Sequence, residues 1–173
     1  AFPNNNSGDG LSFYAGGRRK GGAARGLLMF NLAGNVPLGA TINSVTLTLN
    51  VTKTPSSGVN STFDLRRVLS SWGEGNGSDQ LGGSPGVAGQ ATWNTRLGAG
   101  TPWTTPGGDF AASVSASRSI TGNGSYLFSS TAGLVGDVQG WMSSPANNFG
   151  WELISESENS PTSIRRFGNL SDG

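Results

Sequence analysis

The sequence predicts an all-β sandwich with one short helix, over 131–142, and three observations lead to this fold class. Val45, Leu47, Leu49 and Val51 occupy every second position, which is the period of a strand with one buried face. Turn-forming residues recur throughout, including 29 glycines, as expected of many short strands. The length of 173 residues suits a single sandwich domain.

The first half of the chain supplies the opening strands. A polar segment over 1–10 comes first, and the apolar pattern then predicts strands over 11–16, 26–32, 44–51 and 61–68. The stretch 26–32 is apolar at most positions, which indicates a strand covered on both faces. Pro37 and the Asn and Gly residues around it favour a turn. We therefore expect 25–51 to fold as the opening hairpin.

The second half predicts shorter strands after a Gly-rich loop over 71–89. Strand patterns bounded by turn residues occur at 91–96, 112–120, 122–130, 147–155 and 162–168. We expect the whole of 11–173 to form one β-sandwich domain.

The helix prediction over 131–142 depends on spacing. From Leu134 onward, apolar residues fall at i, i+1, i+4, i+7 and i+8, and these positions share one helical face. Ser130 or Thr131 can cap the start, and Pro145 lies just past the end. Three glycines lower the helix propensity, so we expect the helix to depend on packing at one end of the sandwich.

Composition excludes several classes of function. The chain has no cysteine and no histidine, so it lacks disulfides, thiolate zinc ligands and the usual general base near pH 7. Its net charge of +1 does not favour nucleic acid as a partner. The basic run over 18–20 lies in a Gly-rich loop without a phosphate-binding ending and is expected to be a solvated hairpin loop. No apolar run of about 18 residues predicts a membrane span.

The carboxylates do not predict an enzyme. Glu74 and Asp79 are close in sequence, as are Glu156 and Glu158, but neither pair has a motif that assigns acid and base roles. We expect Glu156 and Glu158 to lie on a solvent-facing turn.

The loop over 71–89 is the candidate metal site. Loops of this length in a compact domain are usually functional or need something to order them. Glu74, Asn76 and Asp79 carry the oxygen ligands that calcium prefers. Turn formation is the alternative role for the same three residues.

Five tryptophans are candidates for stacking on sugars. Trp141 lies on the apolar face of the helix and Trp151 in a strand, so we expect both in the core. Trp72 and Trp103 lie in loops and are the candidate glycan-binding residues. Capping one end of the sandwich is the alternative role for each.

The order of the segments resembles a known family. The resemblance covers about 11–168 and rests on RGLLMFNL, VPLGATINSVTLTL, SWGEG, ATW, WTTPGGDF, LVGDVQGWMSSPANNFGWELI and IRRFG. In combination these are similar to the DNRLRE-domain family of secreted bacterial and archaeal modules. The resemblance implies a jelly-roll-like β-sandwich, a secreted or cell-surface location and no catalytic motif. Such modules occur in extracellular matrix and beside polysaccharide-acting enzymes, and some bind carbohydrate.

The sequence departs from this family after Gly168. Family members continue into a final apolar strand, whereas this sequence reads GNLSDG. Either the sequence is incomplete or the domain lacks its own final strand and leaves an open sheet edge for another copy. We therefore expect a self-assembling subunit of a surface fibre, sheath or matrix. The alternative is a carbohydrate-binding module, with polysaccharide as the partner.

Overall fold

The computed structural model describes residues 2–37, 39–78 and 81–168, which form strands and one α-helix. In chain order the strands are β1 (Asn5–Asn6), β2 (Ser12–Gly17), β3 (Ala23–Ala24), β4 (Gly26–Leu28), β5 (Leu47–Lys53), β6 (Ser61–Arg67), β7 (Ser84–Pro85), β8 (Ala116–Ile120), β9 (Gly124–Phe128), β10 (Trp151–Ser155) and β11 (Arg165–Gly168). The helix α1 (Ala132–Ser143) precedes β10 and is followed by a 3-10 turn over Pro145–Asn147. None of the helical segments in these ranges has the length and hydropathy needed to cross a membrane.

Two antiparallel sheets form the sandwich. The smaller has the order β4-β10-β6-β8 and the larger the order β3-β2-β11-β5-β9. A separate two-stranded ribbon joins β1 to β7. The predicted all-β sandwich with one short helix is confirmed.

Aromatic rings occupy the centre of the core. Phe167 of β11 stacks on Phe13 of β2, with ring centroids 5.1 Å apart. The same ring meets Phe63 of β6 edge-on at 5.6 Å, so it joins the two sheets. Such pairs contribute about 0.5–1.5 kcal/mol each beyond the burial of their surface.

The two best-patterned predictions agree with the structure. Along β5, Leu49 and Val51 are buried and Asn50 is exposed, as period two requires. The helix begins where predicted, because Thr131 Oγ1 accepts a hydrogen bond from the Leu134 amide at 3.1 Å.

The helix is held to the smaller sheet by its apolar face and one carboxylate. Leu134, Val138 and Trp141 are its buried residues. Trp141 packs edge-on against Trp151 of β10, with centroids 4.6 Å apart. Trp151 Nε1 donates to Asp137 Oδ2 at 2.8 Å. Both tryptophans therefore belong to the core, as expected.

The predicted opening hairpin is wrong. β4 lies in the smaller sheet and β5 in the larger one, so the chain between them crosses the sandwich. Along this crossing the amide of Ile42 donates to Gln139 Oε1 of the helix at 2.9 Å. Met29 is 55% exposed, which also contradicts a strand covered on both faces. The segment over 26–32 is rich in apolar residues because Phe30 and Leu32 each pack against the core.

The predicted strand over 91–96 is also wrong. These residues form turns, with one isolated bridge between Thr95 and Pro102. Their backbone groups bond to neighbouring loops, as in the 2.7 Å hydrogen bond from the Ala91 amide to the Gly73 carbonyl. The segment therefore belongs to the loops that line the candidate site.

The last predicted strand, β11, lies inside a sheet and not at its edge. β11 lies inside the larger sheet between β2 and β5, and the edges of that sheet are β3 and β9. The predicted absence of a closing strand concerns 169–173, which lie outside the described residues.

Candidate functional site

A cavity of about 230 Å³ is lined by residues of several loops and of strands β2, β4 and β10. Its walls come from the N-terminal segment, β2, the chain around β3 and β4, and the turns of 91–107. Glu152 of β10 reaches it from the smaller sheet. The cavity is thus lined by parts of the chain that are far apart in sequence.

Asn6 holds one wall of this cavity in place. Its side-chain Nδ2 donates to Gln90 Oε1 at 3.0 Å, and its Oδ1 accepts from the Gly77 amide at 2.8 Å. A Cβ on Gly75 would lie 1.9 Å from Asn6 Oδ1, so only glycine permits this approach. Within the described residues, Asn6 therefore ties the N-terminal segment to Gly77 and Gln90 of the neighbouring loop.

Arg25 is the charged centre of the site. Its guanidinium binds both carboxylate oxygens of Glu158, at 2.6 and 3.0 Å, and donates to the Gly107 carbonyl at 3.1 Å. It also lies over the rings of Trp93 and Phe110, at 4.9 and 5.2 Å from the centroids. Such bidentate, stacked geometry is specific to arginine.

The charges around Arg25 favour its cationic form. Burial opposes the charge, but the hydrogen bond that Arg25 donates to Glu158 and the charges of Glu152 and Glu158 together raise the pKa of Arg25. Glu158, expected on a solvent-facing turn, is instead half-buried and forms this ion pair.

Glu152 is a buried carboxyl with an unused oxygen. The residue is 2% exposed, and no described residue makes a hydrogen bond to its Oε2. Gly108 packs directly against it, since a Cβ there would lie 2.4 Å from Oε2. Burial raises the pKa of Glu152 to about 8; Arg25 works against this shift, whereas Glu158 and Asp109 add to it.

At neutral pH the Glu152 carboxyl is therefore protonated and offers one O–H donor and one acceptor. Sequence reasoning did not select it. A signal exists, however, because Glu152 is a charged residue within the apolar strand pattern of Trp151, Leu153 and Ile154, and such residues are seldom buried without a partner.

The two predicted glycan-binding tryptophans both line the cavity but differ in burial. Trp72 is half-buried, and its Nε1 donates to the Phe149 carbonyl at 2.8 Å. Trp103 is 4% exposed and packs with Val68 and Ala91. The expectation of an exposed stacking surface at Trp103 is therefore wrong, because its ring fills a small core beneath the loops.

Trp93 is an aromatic residue of the site that sequence reasoning did not select. It is half-buried and lines the cavity. The guanidinium of Arg25 lies over the Trp93 ring. Arg25 is 68 positions earlier in the sequence, so no local sequence pattern indicates this contact.

The predicted calcium site stays a prediction. Glu74 and Asn76 are exposed, and Glu74 lines the cavity. Asp79 lies outside the described residues. Within 2–37, 39–78 and 81–168, no cluster of three or more His, Cys, Asp or Glu side chains is arranged to hold a metal ion.

Comparison of the chain with protein-family models, with curated proteins and with solved structures gave no match. The DNRLRE-domain resemblance therefore stays a prediction.

Proposed function

We propose that this chain is a non-catalytic, extracellular binding module that holds part of a glycan in the cavity. The observation that carries the proposal is one cavity lined by the half-buried rings of Trp72 and Trp93 together with the buried carboxyl group of Glu152. Sugars present hydroxyls to paired polar groups and C–H faces to aromatic rings. The extracellular location rests on the family resemblance.

The polar groups of the site support binding over catalysis. Glycoside hydrolysis normally requires two carboxyl groups placed across one bond. The Glu158 carboxylate is occupied on both oxygens by Arg25, and Glu74 is exposed at the cavity wall. The chain has no histidine and no cysteine, so it lacks an imidazole general base and a thiol nucleophile.

A glycan array followed by calorimetry tests the proposal. We expect the wild-type chain to retain at least one glycan class without releasing reducing ends. We expect Trp72→Ala to weaken that binding about tenfold or more, since one stacked ring contributes about 1–3 kcal/mol when buried. Arg118→Ala on β8 is the matched control, because Arg118 is exposed and does not line the cavity. Absence of glycan binding, or equal binding by Trp72→Ala, would overturn the proposal.

Self-association through a sheet edge is the second candidate, and the β9 edge favours it. β8 and β9 are edge strands of the two sheets and lie next to each other. β9 contains no charged residue, and its Leu127 is 46% exposed. Protein edges usually carry charges or prolines that block pairing with another chain. A second copy pairing along β9 would extend the sheet into a fibre, sheath or matrix.

Light scattering and electron microscopy test self-association. We expect concentration-dependent assemblies from the wild-type chain, and fewer from Leu127→Lys, because a charge on the edge opposes pairing. Val87→Lys is the control, since Val87 is also an exposed apolar residue but lies in a loop. A monomer at every concentration, with and without calcium, would exclude this candidate.

A further inference from the structure

We infer that Asn123 is a site of spontaneous deamidation and that the fold protects the identical sequence around Asn76. Gly-Asn-Gly-Ser occurs twice in the chain, over 75–78 and over 122–125, and the sequence has no other Asn-Gly pair. The same four residues have the same local chemistry at both places, so a difference in rate reports the structure around each asparagine. Glycan binding and self-association play no part in this reaction.

Deamidation at an Asn-Gly pair needs only water as a co-reactant. The backbone nitrogen of the glycine loses its proton to hydroxide and forms a bond to Cγ of the asparagine. The bond from Cγ to Nδ2 then breaks, and Nδ2 takes a proton from water and leaves as ammonia. Water opens the resulting succinimide ring at either carbonyl and gives aspartate or isoaspartate. A following glycine favours the attack because it has no Cβ to hinder the close approach.

Gly77, which follows Asn76, is held on both sides. Both asparagine side chains are exposed, whereas Gly77 is buried. The Gly77 amide donates to Asn6 Oδ1 at 2.8 Å, and its carbonyl accepts from the Asp9 amide at 3.0 Å. A Cβ on Gly77 would lie 2.0 Å from the Asn6 carbonyl oxygen. The nitrogen that must attack Asn76 therefore has to break a hydrogen bond and leave a tightly packed position first.

Gly124, which follows Asn123, has open surroundings. The residue is exposed, and a Cβ there would meet none of the described atoms within 4 Å. It begins β9, the edge strand of the larger sheet, where it lies opposite Val51 of β5. Packing therefore does not hold the Gly124 nitrogen away from the side chain that precedes it.

The side chain of Asn123 indicates which way the Gly124 amide points. Asn123 Nδ2 donates to the Thr52 carbonyl at 3.4 Å, so this carbonyl points toward β9. Alternate residues of an antiparallel strand bond toward the same neighbour, which makes Val51 and Gly124 a pair without mutual hydrogen bonds. The Gly124 amide therefore points to the open edge of the sheet, where water and hydroxide reach it.

Peptide mass spectrometry of the ageing chain tests the inference. The folded wild type is kept at mildly alkaline pH, and the deamidated fraction at each site is followed over time. Asn123 should react at least about fivefold faster than Asn76, because releasing the Gly77 hydrogen bond costs about 1 kcal/mol. In concentrated urea the two sites should react at similar rates, since the unfolded chain keeps only their shared sequence.

Two variants give independent readouts. Asn6→Ala removes the acceptor of the Gly77 amide, so the rate at Asn76 should rise about fivefold while the rate at Asn123 stays level. Asn4→Ala is the matched control, because Asn4 is exposed and its side chain accepts from Asn94. Asn123→Gln should abolish the main acidic species that ion exchange separates from the fresh chain, because glutamine would have to close a less favourable six-membered ring.

Equal rates at the two sites of the folded chain, or a faster reaction at Asn76, would overturn the inference. A rate difference that persists in urea would do the same, because the neighbouring sequence would then be its cause. An unchanged rate at Asn76 in Asn6→Ala would exclude the Gly77 hydrogen bond as the protection. If that variant does not fold, the comparison of folded and unfolded wild type decides.

Discussion

The guanidinium groups of Arg25, which is half-buried, and Arg165, which is buried, are satisfied in opposite ways. Arg25 is paired with a carboxylate, and its surroundings raise its pKa. Arg165 is 0% exposed and donates to backbone carbonyls, including Val59 at 2.8 Å and Ser163 at 3.1 Å. Burial lowers the pKa of Arg165. Burial of a charged side chain therefore does not by itself identify a ligand-binding site.

What distinguishes the surroundings of Arg25 is the cavity, which Arg25 and the buried Glu152 both line. Glu152 lines the cavity and has an oxygen without a described partner. The Nε of Arg165 also has no hydrogen-bond partner among the described residues, but Arg165 does not line the cavity. We therefore assign Arg165 a structural role and place the ligand beside Arg25.

The largest expected effect is that of Arg165→Ala. Loss of the guanidinium leaves several buried carbonyls without a donor, each costing about 1–3 kcal/mol, so we expect a total loss of roughly 3–5 kcal/mol. Urea unfolding measures it. Arg166→Ala is the matched control, because Arg166 is only half-buried and donates to Thr52 Oγ1 at 2.9 Å. Equal losses for the two variants would contradict the structural role of Arg165.

Arg25→Ala should have a smaller effect on stability. The Glu158 carboxylate left behind is half-buried and regains some water, so we expect a loss of about 2 kcal/mol. A double-mutant cycle with Glu158→Gln should give a coupling of at least about 1 kcal/mol. Additive losses would mean that the ion pair does not contribute to stability.

Glu152→Gln should change the pH dependence of stability. The pKa of Glu152 is raised from 4.5 to about 8 in the folded chain. Between these values the folded state holds a proton that the unfolded state has released. The contribution of Glu152 to the free energy of unfolding is therefore largest below about pH 4. It is lost as the pH rises to about 8, at roughly 1.4 kcal/mol per pH unit.

Urea unfolding of wild type and variant from pH 5 to pH 8 checks this slope. The Gln side chain does not titrate, so Glu152→Gln should lose stability less steeply as pH rises. Glu156→Gln should keep the wild-type slope, because Glu156 is exposed. Parallel curves for wild type and Glu152→Gln would contradict the assigned protonation of the cavity.

The smallest expected change in stability is that of two glycine substitutions in the helix, which alter neither Arg25 nor Arg165. A Cβ on Gly136 of the helix meets no atom within 4 Å, so Gly136→Ala should add about 0.5–1 kcal/mol of stability. In the same helix, a Cβ on Gly133 would lie 2.7 Å from the Ser115 carbonyl oxygen. Gly133→Ala should therefore lower stability, and thermal melts of the pair should shift in opposite directions.

Local pattern was sufficient for part of the fold. The alternation of β5 and the single apolar face of α1 are properties of consecutive residues, so both could be predicted. The path of 26–46 could not, because an apolar run looks the same whether it is a two-sided strand or a crossing that buries Phe30 and Leu32 separately.

The site was harder to predict, since its contacts are non-local. Arg25 and Glu158 are 133 positions apart, and no motif links them. The tryptophan expectation selected Trp103, whose ring the fold buries, and not Trp93, whose ring supports Arg25. Glu152 was visible as a charge within an apolar strand, but its missing partner appears only in three dimensions.

The central place of β11 in the larger sheet has a consequence for how the chain folds. Arg165 pairs with Ala15, from the second strand, so sequence separations of about 150 residues must close before the sheet is complete, and such long-range pairing makes folding slow. During synthesis, the edges of β2 and β5 that pair with β11 stay unpaired until β11 has been made. A nascent chain of this protein is therefore exposed to aggregation until the strand at Arg165–Gly168 emerges.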